Sequence, residues 1–125
     1  MSIQLCLAVF FAGGFGALSR FLVSEACVHF LGRGWPCGTM VVNILGCLFF
    51  GLVVELAAGR HILSEAARIA LCAGFLGGFT TFSSLIFDSA ALGQIRPLFL
   101  ALNIAVQVVL GFGALWAGEQ LGKLL

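Results

Sequence analysis

The sequence predicts an all-α membrane protein with four transmembrane helices, the third broken at mid-membrane, assembled as an antiparallel dual-topology homodimer. Of its 125 residues, 62% are hydrophobic and only 9% are charged. The mean hydropathy of +1.18 lies far above the values of soluble globular proteins. Apolar runs alternate with short polar connections, and the third run carries glycines and hydroxyls at its centre. These observations indicate that the chain lies within a lipid bilayer.

The first apolar run is expected to form a helix over about residues 3–31. Its small residues recur at every fourth position, in the pairs Ala12 with Gly16 and Gly13 with Ala17. Such spacing is typical of membrane helices that pack closely against a neighbour. A nucleotide-binding function for these glycines is disfavoured, because no strand precedes them. We therefore expect a packing face on the first helix.

The second helix is expected over about residues 37–54, directly after Pro36, which suits the first turn of a helix. Thr39, Asn43 and Cys47 lie four positions apart on this helix. Residues at this spacing share one face. The second helix therefore presents a hydroxyl, an amide and a thiol on the same side.

The third apolar run covers about residues 69–87, long enough at about 1.5 Å per residue to cross a bilayer core of roughly 30 Å. Its centre falls near Gly77 and Gly78, so we expect non-helical backbone there. Lipid cannot satisfy free backbone N–H and C=O groups, and irregular backbone is tolerated only inside protein or beside a polar cavity. The third helix is therefore predicted to contain an ion or solute site.

The fourth helix is expected over about residues 97–118 and begins with Pro97. Asn103 and Gln107 share one of its faces, which is consistent with a pore-lining or an interfacial role. The four predicted helices leave no room for a soluble domain. We therefore interpret residues 1–125 as a single transmembrane domain.

Composition also excludes several classes of protein. A net charge of +1 without a basic cluster disfavours binding to nucleic acid. The five cysteines are scattered and form no C-x-x-C pair, which favours free thiols over a disulfide framework or a zinc site. No nucleophile motif or membrane-embedded carboxylate pair is present, and the chain is predicted not to be an enzyme.

Positive charge is shared almost equally between the two ends of the predicted bundle. One side holds Arg60, Arg68 and Lys123, and the other holds Arg33 and Arg96, with Arg20 at the margin. Without a positive-inside bias the chain can insert in both orientations. Two oppositely inserted copies would form a dimer with a two-fold axis in the membrane plane. Insertion in one direction through weaker signals is the alternative.

Three side chains in the predicted spans are candidates for ion conduction. Arg20 is a cation within an apolar run, suited to attracting anions, although it could also extend to the lipid headgroups. Asn43 can donate hydrogen bonds while staying neutral, or it can join helices. Phe82 can present its electropositive ring edge to an anion, although most membrane phenylalanines only pack.

The predicted break provides groups of both polarities. The half-helix that follows it points N–H groups and a positive dipole end inward, whereas the half that precedes it exposes carbonyl oxygens. In an antiparallel dimer whose axis passes near the break, carbonyls of both copies would converge on a central cation such as Na⁺.

Three motifs together resemble the Fluc (CrcB) fluoride channels over essentially the whole chain. The motifs are GGFGALSR from Gly13, GTMVVNILG from Gly38 and GFLGGFTTFS from Gly74. The resemblance implies a dual-topology homodimer in the cytoplasmic membrane, with two pores that export fluoride passively and a central structural Na⁺. It also implies residue roles: main-chain carbonyls for sodium from Gly77 and Thr80, a vestibule cation from Arg20, and pore-lining groups from Asn43, Phe82, Ser83 and Ser84.

One position departs from the pattern of these channels, which continues Thr-Thr-Phe-Ser-Thr-Phe. The second phenylalanine is replaced here by Leu85, whose aliphatic side chain has no electropositive edge. We therefore expect reduced fluoride throughput. A small proton-coupled multidrug-type exporter and a non-conducting membrane subunit are the alternative functions, and the former would need an embedded carboxylate that the spans lack.

Overall fold

A computed structural model describes residues 2–125 of the chain. Within them, all regular structure is helical. Four helical spans are long and apolar enough to cross a membrane, which confirms the multi-pass membrane architecture predicted from the sequence. The spans are Ile3–Leu31, Cys37–Gly59, Glu65–Ile95 and Pro97–Leu124.

The spans divide into five helical elements. Helix α1 is Ile3–Leu31, and α2 is Cys37–Val54 followed by π-helical turns over Glu55–Gly59. Helix α3 consists of Glu65–Ile69, a π-helical segment Ala70–Leu76, and Gly77–Phe79. Helix α4 is Phe82–Ile95 and α5 is Pro97–Leu124.

The third and fourth spans extend beyond the apolar runs expected at 69–87 and 97–118. The third span begins at Glu65 because the Ser64 hydroxyl accepts a hydrogen bond from the N–H of Ala67, 3.2 Å away, and caps the helix there. Hydropathy reports only the apolar part of a span, whereas the backbone stays helical as long as its hydrogen bonds continue. The predicted and observed bounds of these two spans therefore differ at the polar ends of the helices.

The backbone leaves helical geometry at Thr80 and Thr81, not at Gly77 and Gly78 as the sequence suggested. Both threonines are extended, with φ −90° and ψ 160° at Thr80 and φ −152° and ψ 112° at Thr81. Gly77 and Gly78 are helical. Threonine is β-branched and adopts extended backbone readily, so the interruption falls on the threonine pair.

The glycines near the interruption allow close helix packing. A methyl group on Gly78 would overlap the carbonyl of Gly13 in α1, and one on Gly16 would overlap the carbonyl of Phe75 in α3. Helices α1 and α3 therefore approach each other backbone to backbone. This packing explains why a small residue at Gly78 occurs where the sequence alone suggested flexibility.

Helix α5 packs most extensively against α2. Gly51 lies against the backbone at Leu115, and Gly118 lies against the backbone at Leu48. These reciprocal contacts fix how α2 and α5 cross. As a result, the polar residues in the middle of both helices face each other and the start of α4.

Candidate functional site

The interruption is held by one side chain from the second span. The N–H of Thr81 donates to Oδ1 of Asn43 at 2.8 Å, and Nδ2 of Asn43 donates to the carbonyl of Thr81 at 3.1 Å. The amide thereby satisfies both main-chain polar groups of a residue that has left the helix. Because unpaired backbone groups are costly away from water, this pair stabilises extended backbone at Thr81.

Thr81 also starts the helix that follows. Its Oγ1 accepts a hydrogen bond from the N–H of Ser84 at 3.2 Å, as an N-cap residue does. The same hydroxyl donates to Oγ of Ser84 at 3.0 Å and lies 3.2 Å from Oγ of Ser83. Three hydroxyls are therefore gathered at the N-terminal end of α4, where the helix dipole is positive.

An open cleft of about 300 Å³ lies beside the interruption, between α2, α4 and α5. Its walls combine apolar side chains with a few polar groups, a composition usual for small-ligand sites. The lining residues are Asn43, Gly46, Cys47, Phe50, Thr80, Thr81, Phe82, Leu85, Gln107, Val108 and Leu115.

Phe82 is the most exposed of the predicted site residues in the cleft wall. Its side chain is 74% accessible, although the residue directly follows the buried Thr81. Leu85, one turn further along α4, is only 7% accessible. The ring of Phe82 is therefore presented outward from the single chain, whereas Leu85 lies behind it against the neighbouring helices.

The cleft brings together Asn43, Thr80, Phe82 and Leu85 from the residues predicted for the site. Ser83 and Ser84 lie next to it and share hydrogen bonds with Thr81. The two remaining predicted residues neither line the cleft nor bond to its wall. Arg20 is half-buried on α1 without an acidic partner among residues 2–125, and Gly77 is exposed at the end of α3.

The carbonyls of Gly77 and Thr80 are released from helical hydrogen bonding. In a continuous helix they would accept from the N–H groups of Thr81 and Ser84, four residues later. Those N–H groups instead donate to Asn43 Oδ1 and to Thr81 Oγ1. The two main-chain oxygens proposed from the sequence as cation ligands are thus the ones whose helical donors bond elsewhere.

The sequence left the roles of several polar residues of the site open, between lining a pore and joining helices. Oε1 of Gln107 accepts from Nδ2 of Asn43 at 2.9 Å, and Nε2 of Gln107 donates to Oδ1 of Asn103 at 3.1 Å. The shared face of Asn103 and Gln107 was visible in the sequence, whereas their connection to Asn43 was not. Ser89 accepts from Nδ2 of Asn103 at 2.9 Å. Nothing in the sequence pattern pointed to a role for this serine.

A second polar contact joins α2 to α4. The hydroxyl of Thr39 donates to Oδ2 of Asp88 at 2.6 Å, and both residues border a smaller cavity of about 190 Å³. Thr39 was recognised only as part of a polar helix face. The short distance is typical of a charge-assisted hydrogen bond, and it leaves Asp88 as a half-buried carboxylate at the edge of the bundle.

The four apolar spans and the polar interruption beside an open cleft define a polytopic membrane protein with a site for a small solute or ion. Comparison with known sequences specifies the family. The family described as "CrcB-like protein, Camphor Resistance (CrcB)" matches residues 7–119. The chain belongs to this CrcB family.

Several similar proteins match nearly the whole chain. A protein of Solidesulfovibrio magneticus is 50% identical over 115 residues, covering 91% of this chain and 92% of the relative. One from Vibrio vulnificus is 43% identical over 112 residues, with 89% of each chain covered. One from Geobacter sulfurreducens is 37% identical over 126 residues and covers both chains fully. Each is named "Fluoride-specific ion channel FluC".

Proposed function

We propose that this chain forms a passive, fluoride-selective ion channel that exports fluoride across the cytoplasmic membrane. The functional unit is an antiparallel dual-topology homodimer with two pores and a central structural Na⁺. Membership of the CrcB family and the names of its relatives support the choice of ion. The protein moves the ion down its electrochemical gradient and catalyses no reaction.

One observation carries the proposal: the helix interruption turns the N-terminus of α4 and the exposed ring of Phe82 toward the same open cleft. A helix N-terminus attracts anions through its free N–H groups and its dipole. The edge of a phenyl ring carries partial positive charge. Both groups attract an anion without introducing a fixed positive charge, which would hold the ion too tightly for rapid passage.

We propose that selectivity for fluoride comes from a narrow, dry path formed when the cleft is enclosed. The cleft is lined mostly by apolar side chains, with few polar groups. A permeating anion must therefore shed water and replace it with ring edges and with the hydroxyls of Ser83 and Ser84. A narrow passage admits the smallest halide and rejects chloride by size. Arg20, on α1, is proposed to raise the local anion concentration at the entrance.

Leu85 is proposed to weaken this path. The side chain borders the cleft and has no electropositive edge to offer an anion that passes Phe82. One favourable contact per pore is therefore missing at this position. We infer a functional channel whose fluoride throughput is lower than that of a variant with phenylalanine at position 85.

The dimer is proposed from charge distribution and exposure. Lys and Arg residues are nearly balanced between the two ends of the bundle, so both insertion orientations are available. Phe82 and the cleft beside it are open on the single chain. A second, inverted copy would cover this side and convert each open cleft into an enclosed pore, which supports the assembly of two pores at the interface.

The central sodium is proposed to bind the main-chain carbonyls of Gly77 and Thr80 from both copies. The diversion of the Thr81 and Ser84 N–H groups frees these oxygens, and carbonyl oxygens suit a hard cation. The fit is therefore chemically reasonable. The Gly77 and Thr80 carbonyls of the two copies would hold the ion, which would supply a positive charge that offsets their mutual repulsion.

Ion efflux from proteoliposomes tests the proposed function. Vesicles loaded with equal concentrations of fluoride and chloride are diluted into a medium free of both, and each ion is followed with a selective electrode. The vesicles contain potassium salts, and valinomycin is added so that K⁺ can leave with the anion and balance its charge. The proposal predicts release of fluoride and retention of chloride once valinomycin is present. Release of neither ion would indicate a non-conducting subunit, and equal release of both would contradict selectivity.

A further inference from the structure

We propose that Asn43, Gln107, Asn103 and Ser89 are positioning residues that together hold the turn carrying Phe82 and act on the permeating anion only through that turn. This inference rests on the proposed function, because it assigns the network a role in presenting Phe82 to the ion. The residues belong to three different helices, α2, α4 and α5. They form a continuous hydrogen-bonded network in the interior of the chain.

Each member of the network donates to the next. Thr81 N–H donates to Asn43, and Asn43 Nδ2 donates to Gln107 Oε1. The order of donation then runs from Gln107 to Asn103 at 3.1 Å, from Asn103 to Ser89 at 2.9 Å, and from Ser89 Oγ to the carbonyl of Leu85 at 2.7 Å. Bonds aligned in one direction polarise and strengthen one another.

The network begins and ends on the main chain at either side of Phe82. Its first donor is the N–H of Thr81, and its last acceptor is the carbonyl of Leu85. The turn between these two points is therefore tied to α2 and α5 at both ends. Within one chain the ring of Phe82 is 74% exposed and has few packing contacts, so the chain itself sets the ring's direction through this turn.

Burial makes the arrangement difficult to change. Asn103 is 0%, Ser89 1% and Gln107 5% accessible. A buried polar group that loses its partner is strongly disfavoured in an apolar environment. Within residues 2–125, every buried side-chain nitrogen and oxygen has a hydrogen-bond partner. A rotation of the α4 turn would break bonds in this satisfied network, and the turn is thereby restrained.

The same bonds limit what Asn43 offers an anion. The amide has two N–H donors, and these donate to the carbonyl of Thr81 and to Oε1 of Gln107. A direct hydrogen bond to fluoride would require one of these bonds to break. The contribution of Asn43 to permeation is therefore to hold Thr81, and with it Phe82, in place.

The test places a single 4-fluorophenylalanine at position 82 and records its ¹⁹F NMR signal in detergent. Gln107→Met removes both of that residue's polar ends while keeping its length, and Gln94→Met is the matched control, since Gln94 is exposed and lies outside the network. We expect the parent signal in the control and a shifted or split signal in Gln107→Met. We also expect a fall in fluoride efflux of about tenfold, since buried partners lose their bonds.

The inference would be overturned if the Gln107→Met protein elutes from size-exclusion chromatography as the parent does and its ¹⁹F signal is unchanged. If Gln107→Met does not fold, Ser89→Ala decides, because it breaks the last two bonds of the network and lies two turns from Phe82. Its signal must also shift. The ¹⁹F signal of the ring can be recorded whether or not the protein conducts. If the parent protein passes no fluoride, the proposed function is wrong, but the ¹⁹F measurement still tests whether the network holds Phe82.

Discussion

The side chain of Asn43 bonds both main-chain polar groups of Thr81, accepting from its N–H at 2.8 Å and donating to its carbonyl at 3.1 Å. The two residues are 38 positions apart and lie on different spans. This pair allows the backbone to stay extended between α3 and α4 in a protein whose surroundings offer no water. It also diverts the N–H that would otherwise bond the carbonyl of Gly77.

Replacing Asn43 with leucine is predicted to destabilise the interruption and abolish most fluoride efflux. The N–H and carbonyl of Thr81 and Oε1 of Gln107 would lose their partner, at a cost of about 1–3 kcal/mol for each group left unsatisfied. Thermal unfolding in detergent, followed by size-exclusion chromatography, measures the stability, and proteoliposome efflux measures conduction. Ile44→Leu, at the neighbouring position on α2, is the control and should alter neither.

A second substitution, measured in the same way, separates the hydrogen-bond acceptor of Asn43 from its donors. Asn43→Asp keeps an acceptor for the Thr81 N–H but loses the donors to Thr81 and Gln107. It should conduct less fluoride than the parent protein while retaining more stability than Asn43→Leu. Parent-like efflux in Asn43→Leu would contradict the assigned role of the amide.

Leu85→Phe is predicted to increase fluoride efflux about threefold to tenfold, because a second electropositive ring edge would attract the anion with an energy on the order of that of an aromatic pair, about 0.5–1.5 kcal/mol. The cleft of about 300 Å³ beside position 85 offers space for the larger ring. Initial efflux rates at equal protein density measure the effect. Leu85→Met, which introduces a non-aromatic side chain of similar volume, should match the parent. Equal rates for Leu85→Phe and Leu85→Met would argue against a pore role for this position.

Gly16→Ala is predicted to destabilise the packing of α1 on α3 by about 1–3 kcal/mol, as expected of an overpacked contact. A methyl group there would overlap the carbonyl of Phe75, which belongs to the backbone and cannot move aside alone. Gly14→Ala provides the control on the same helix, because no atom lies within 4 Å of the added methyl group. The melting temperature in detergent should fall for Gly16→Ala and stay level or rise for Gly14→Ala.

Removal of sodium is predicted to lower the stability of the dimer. A ligand that binds only the folded state stabilises it by an amount that grows with the ligand's concentration relative to its Kd. The N–H groups that would bond the Gly77 and Thr80 carbonyls in a continuous helix donate elsewhere, which leaves these oxygens available to the ion. Protein dialysed into N-methyl-D-glucamine should melt at a lower temperature than protein in Na⁺ at equal ionic strength. Addition of Na⁺ should restore the difference, whereas an identical melting temperature in both buffers would argue against the ion.

The four spans could be predicted from the sequence because a long run of apolar residues marks a membrane-spanning helix whatever its neighbouring helices are. The interruption was placed at Gly77 and Gly78, whereas Thr80 and Thr81 are the extended residues. Glycine marks both flexibility and close packing, and the sequence does not separate the two. Here Gly78 lies against α1, Gly77 stays helical, and the threonines leave the helix.

The polar network could be predicted only in part. The shared face of Asn103 and Gln107 follows from their spacing, but their contact with Asn43 depends on how α2 and α5 cross. That crossing is set by Gly51 and Gly118, which lie further along both helices. The bond between Thr39 and Asp88 likewise joins residues 49 positions apart. Long-range pairings of this kind follow from packing and have no local signature.

The most direct test of the central claim is electrogenic fluoride efflux from proteoliposomes loaded with potassium fluoride and potassium chloride. The account predicts rapid fluoride release that begins on addition of the potassium carrier valinomycin, with chloride retained, and that is strongly reduced by Phe82→Leu but unaffected by Phe30→Leu. Fluoride release that needs a proton gradient and proceeds without valinomycin, or chloride release at the same rate, would contradict a passive fluoride-selective channel.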